Sequence, residues 1–91
     1  MIDIYIVHDN PNVEDLVWNI PTEINPFIHF LDIGSKKDKH KAFKFKQDWG
    51  ARKTPFCLIE SDGVPLKAFY SETGDSAINQ LIEFLRTYER N

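Results

Sequence analysis

The stretch Trp49-Gly50-Ala51-Arg52-Lys53-Thr54-Pro55-Phe56-Cys57-Leu58-Ile59 joins two segments of different period. Before it, residues 36–49 have helical composition. Ala42, Phe45 and Trp49 recur at i, i+3 and i+7, which predicts one buried stripe on a helix. Phe43 misses that stripe. Gly50 stands just past the last periodic residue, where a helix end favours a left-handed backbone. After it, residues 56–60 form a short apolar run, the pattern of a strand. Thr54-Pro55 separates the two, and an X-Pro bond is the bond type at which cis costs only about 0.5–1 kcal/mol.

Working outward, Asp62-Gly63 is a hairpin signal, and residues 66–71 read as its second strand with Pro65 at the start. Gly74-Asp75-Ser76 precedes a last helix, which Asp75 or Ser76 can cap. Ile78, Leu81, Ile82, Leu85 and Tyr88 make its apolar face. Toward the N-terminus, residues 27–33 read as a strand with His29 and Asp32 interleaved. Residues 2–7 are apolar on both alternations and predict a central strand. Asp9-Asn10-Pro11-Asn12 has the composition of a helix start. Val13, Leu16, Val17 and Ile20 follow at i, i+3, i+4 and i+7, and Pro21 ends the pattern. Trp18 lies off this stripe. The expected order is βαβαββα, an α/β domain with a four-stranded mixed sheet flanked by three helices. The first and last helices are expected on one face and the helix over 36–49 on the other.

The 91 residues suffice for one domain, spanning 1–91. Hydrophobic residues are 42% and charged residues 27%, the balance of a globular chain rather than a disordered one. No run approaches the ~20 apolar residues of a membrane span. Met1-Ile2-Asp3 has neither the basic nor the apolar region of a secretory signal. Cys57 is the only cysteine, which excludes an intramolecular disulfide and a thiolate-rich zinc site. A reducing cytoplasmic compartment is expected. The net charge of -3 is polarised. Eight of the Lys and Arg residues fall between Lys36 and Lys53, beside Asp38 and Asp48 only. Such a segment is either a solvated helix face or a surface for an acidic partner.

In these residues the chain resembles the thioredoxin/glutaredoxin family. The resemblance lies in Trp49-Gly50 leading to Thr54-Pro55 and a strand, in the turn Ser61-Asp62-Gly63, and in residues 76–86 with the run Ile82-Glu83-Phe84-Leu85. It covers roughly the second half of the chain; the first half is similar by element order and Pro11. The resemblance implies a thioredoxin-like βαβαββα fold and a cis Thr54–Pro55 bond. The family's Cys-Gly-Pro-Cys motif falls on Asp9-Asn10-Pro11-Asn12, which keeps the proline and lacks both cysteines. Dithiol exchange needs a nucleophilic thiolate and a resolving thiol, and a carboxylate and an amide supply neither. His8 replaces the tryptophan that usually precedes the motif. What the resemblance implies is a redox-inactive domain that acts as a protein-binding, adaptor or regulatory module without a cofactor. The alternative is a glutathione-dependent or single-thiol glutaredoxin-like oxidoreductase.

Two candidate surfaces follow. In the family, the loop after the first strand meets the turn before the third. That predicts a peptide groove of His8, Asp9, Asn10, Pro11 and Asn12 with Arg52, Lys53, Thr54 and Pro55, recognising an extended segment by strand-like hydrogen bonds. The alternative partner surface is Trp18, Lys39 and Phe43, since aromatics off a buried stripe are favoured in interfaces. Adjacent His8 and Asp9 suit a helix-cap loop better than acid–base catalysis. Cys57 reads as a packed hydrophobe rather than a reactive thiol. Gly74-Asp75-Ser76-Ala77-Ile78 resembles, weakly, a glutathione-binding helix start, and reads better as an ordinary cap. His8, His29 and His40 share no metal-ligand spacing. A protein partner is expected in preference to nucleic acid, which a net negative chain binds poorly.

Overall fold

Ile2, Ile4 and Ile6 alternate with Asp3, Tyr5 and Val7, so a strand built from them has an apolar side for each of two layers. The computed structural model describes residues 1–10, 26–71 and 76–89, with side chains up to residue 87. In it, β1 (Ile2–His8) is an inner strand. β2 (Phe27–Asp32) pairs with it in parallel, Tyr5 opposite His29 and His8 opposite Asp32. β3 (Phe56–Ser61) pairs antiparallel on its other side, Val7 opposite Phe56 and Ile4 opposite Ile59. β4 (Val64–Tyr70) continues antiparallel, giving the order β2-β1-β3-β4.

Two helices complete the described fold, α1 (Lys39–Trp49) and α2 (Ala77–Glu89). They cover opposite faces. Ile2, Ile4, Ile6, Cys57, Ile59 and Phe69 pack against Ala77, Ile78, Leu81, Ile82 and Leu85 of α2. The alternate residues Val7, Leu31, Phe56 and Leu58 pack against Ala42, Phe45 and Trp49 of α1.

This corrects the expected architecture. The described elements run ββαββα with two helices, not the thioredoxin-like βαβαββα with three. One apolar helix stripe, that of α2, covers the Ile4 face among the described residues. The helix expected over residues 13–20 lies outside the described residues. The class remains α/β, with a four-stranded mixed sheet.

Element ends differ from the sequence pattern where side chains bond locally. β2 stops at Asp32, whose Oδ1 accepts the Gly34 N–H at 2.8 Å and starts a turn. α1 starts at Lys39 rather than 36; residues 36–38 form a turn, in which Ser35 Oγ accepts the Lys37 N–H at 3.3 Å. Gly50 ends α1 with φ 67°, and its N–H bonds back to the last-turn carbonyls. Asp62 and Gly63, at φ 52° and 82°, make a two-residue turn with Ser61 opposite Val64, so β4 begins two residues before Leu66. Pairing shifts between Ile59 and Glu60, which leaves Leu66 without an opposite residue as a bulge beside Pro65. Thr54–Pro55 is cis.

Candidate partner-binding surface

α1 buries Ala42 and half-buries Phe45 and Trp49 toward the sheet, so helical geometry turns Phe43 outward. Phe43 is 49% exposed. Lys39 lies four residues before it and Lys46 three after, so all three share the outer face. At Gly50 the left-handed backbone ends the helix, and the Ala51 N–H bonds to the Lys46 carbonyl at 2.8 Å. That reversal brings Arg52 back beside Phe43. Phe43, Lys46, Gln47, Gly50, Ala51 and Arg52 line an open depression of about 470 Å³. The Tyr70 hydroxyl donates to the Trp49 carbonyl at 2.6 Å and ties this end of α1 to β4.

The surrounding field is positive. Lys36, Lys37, Lys39, Lys41, Lys44, Arg52 and Lys53 are exposed, and Lys46 is half-buried. None of the eight forms an ion pair with another described residue. The Lys41 Nζ lies 5.6 Å over the Tyr5 ring. Tyr5 stacks on His29 at 4.6 Å, and His29 Nε2 meets Asp3 Oδ1 at 3.1 Å. Burial first, then the charges of Glu60 and Asp3, raise the Tyr5 hydroxyl above its ordinary pKa.

At the other candidate surface, the pairing of Val7 with Phe56 brings the end of β1 and the start of β3 to one end of the sheet. Asp9 and Asn10 are exposed there, and Thr54 and Pro55 are half-buried. His8 is the last residue of β1 and is buried, edge-on to Phe30 with centroids 6.0 Å apart. Its Nδ1 has no hydrogen-bond partner among the described residues. Pro11, Asn12 and Trp18 lie outside the described residues. The structure therefore groups Asp9 and Asn10 with the end of the sheet that carries Thr54 and Pro55. Arg52 also lines one depression with Phe43, a residue of the alternative surface.

The thiol is remote from solvent. Cys57 faces α2 inside β3, opposite Ile6 and Phe69, and is fully buried. Burial pushes its pKa up to about 12. The start of α2 is also occupied from within. Ser71 Oγ accepts the Ala77 N–H at 3.1 Å and donates to the Pro55 carbonyl at 2.6 Å. Ser76 Oγ accepts the Ile78 N–H at 3.3 Å, a side-chain cap. The Ala77 and Ile78 N–H groups are thus both bonded within the chain; Gly74 and Asp75 lie outside the described residues. Among the described residues no three His, Cys, Asp or Glu side chains are grouped to hold a metal ion. No described helix is long and apolar enough to cross a membrane.

No protein-family model matches the chain, and no curated protein matches it. Its own geometry therefore carries the functional argument. Sequence reasoning missed Lys46, Gln47, Gly50 and Ala51 as neighbours of Phe43. The i+3 and i+4 spacing from Phe43 was a usable signal for the first two.

Proposed function

We propose that this chain is a protein-binding module without thiol chemistry, and that its partner docks on the outer face of α1. The observation that carries this reading is Phe43, a large aromatic left half in water beside Lys46 and Arg52 in one depression. Aromatic and arginine side chains together are the composition of binding hot spots. The expected loss of dithiol chemistry belongs to the same reading. The only cysteine is buried with its thiol pKa raised to about 12, which supports a packing role over a glutaredoxin-like nucleophile.

The test has two arms. The first is a disulfide-reduction assay with glutathione on the native chain and on Cys57→Ser. The expected result is no Cys57-dependent turnover, and such turnover would establish the oxidoreductase alternative. The second places a photo-crosslinking amino acid at position 43 or at position 67, on the opposite face. A partner trapped from 43 and not from 67, then shown to bind in purified form, is the expected outcome. Trapping from 67 alone would refute docking on α1.

A further inference from the structure

Resting on that reading, we infer that the partner presents an acidic segment with one apolar side chain. The apolar group seats in the depression beside Phe43, and the flanking carboxylates meet Lys39, Lys46 and Arg52. Three observations carry this. The segment from Lys36 to Lys53 holds eight cations against two acids, and no described residue forms an ion pair with any of them. An external anion that meets this charge gains a faster, steered encounter. The depression is lined by apolar Phe43, Gly50 and Ala51 together with Gln47 and the cations Lys46 and Arg52. A Cβ added at Gly50 would meet nothing within 4 Å, so the space over that residue is open to a visiting side chain. The depression is also open rather than enclosed, which suits one protruding side chain better than a small molecule that must bury most of its surface.

A single-stranded nucleic acid would also meet the positive field. It holds such a surface chiefly by stacking successive bases on several aromatics. On the outer face of α1 one aromatic, Phe43, faces outward, since Phe45 packs inward against Tyr5 at 4.9 Å; the exposed rings of Phe27 and Tyr70 belong to β2 and β4. The remainder of the chain is strongly acidic and would oppose a long polyanion. An acidic peptide segment with a single anchor fits both the charge and Phe43.

The probe is a short fluorescein-labelled peptide of Asp and Glu with one central Leu, compared by anisotropy with the same peptide carrying Ala in place of Leu. The Leu peptide is expected to bind about ten-fold tighter, the scale of one buried anchor. Phe43→Ala should erase that preference. Arg52→Glu should weaken both peptides about ten-fold and flatten the salt dependence, while Lys67→Glu on the opposite face should leave affinity unchanged. Equal affinity of the two peptides overturns the anchor. Displacement of the Leu peptide by oligothymidylate at equal charge shows a general polyanion surface and overturns the partner class. Self-association of the native chain that Phe43→Ala abolishes makes a second copy the occupant and overturns it too. If neither peptide binds while position 43 still traps a protein, this inference fails and the module reading stands. If position 43 traps nothing, both fail.

Discussion

The two faces of the sheet are built from the same strands yet finished differently. Toward α2 the fully buried set is the larger and mostly aliphatic, Ile2, Ile4, Ile6, Ile59, Leu81 and Leu85 with Phe69 among them, and Ile28, Phe30 and Phe84 are half-buried around it. Toward α1 the fully buried set is smaller, and Tyr5, Ile33, Phe45, Trp49 and Ala68 are only half-buried around it. The hydrophobic contribution scales with area removed from water, so the α2 face should supply most of the stability. The α1 face keeps rings and cations near solvent. One sheet thus carries the larger core on one side and, on the other, the surface proposed for a partner.

The most direct way to break this comparison is a pair of truncations. Leu85→Ala empties a fully buried site and should cost roughly 2–5 kcal/mol, a large part of the 5–15 kcal/mol usual for a domain. Phe45→Ala removes a larger side chain that is already half in water, and should cost about 2 kcal/mol. Urea unfolding of both variants decides. A larger loss for Phe45→Ala would reverse the roles of the two faces.

The next effect is a pH dependence from the α2 face. The Cys57 thiol stands at about 12 in the fold against an ordinary value of 9.0. Below pH 9 folded and unfolded chains both keep the proton. Between pH 9 and 12 only the unfolded chain gives it up, so stability falls as pH rises through that window, by at most roughly 4 kcal/mol. Tyr5, also raised, adds a loss of the same sign at the alkaline end. Urea midpoints across the window should fall less steeply for Cys57→Ala than for the native chain, and parallel slopes would show that burial does not govern this thiol.

Smaller effects belong to the α1 face. Gly50→Ala should cost about 1 kcal/mol, because φ is 67° there. No clash contributes, since an added Cβ meets nothing within 4 Å. A loss well above that in thermal unfolding would mean that the end of α1 is more tightly held than the two faces suggest. Phe43→Ala should change stability by less than about 0.5 kcal/mol, as an exposed substitution does. A larger loss would place Phe43 in the fold rather than in recognition.

What could be read beforehand follows from how local each cause is. The alternation of Ile2, Ile4 and Ile6, the Ala42–Phe45–Trp49 stripe, the turn at Asp62-Gly63 and the helix stop at Gly50 depend on neighbours in sequence, and the structure has all of them. The helix read from periodicity over 13–20 lies outside the described residues, and the described elements run ββαββα rather than the three-helix order that the resemblance implies. The pattern puts the start of α1 at 36, whereas residues 36–38 form a turn, a distinction that periodicity does not register. The depression was not legible either. Phe43 and Arg52 line one depression because the chain reverses at Gly50, which spacing along the sequence does not register.

The outer strand β4 carries a consequence for the molecule at high concentration. An unpaired strand edge is a template on which a second chain can add. Here Val64 and Leu66 are exposed apolar residues on that edge, which makes the hazard concrete. Pro65 withholds a donor, Leu66 bulges out of register, and Lys67 adds a charge one residue later. Only the short segment after Lys67 is left with a regular ladder, too little to seed stacked growth. Fibrils are therefore expected to nucleate slowly from the native state, and Pro65→Val is the change that should hasten them, seen as a shortened lag in thioflavin fluorescence.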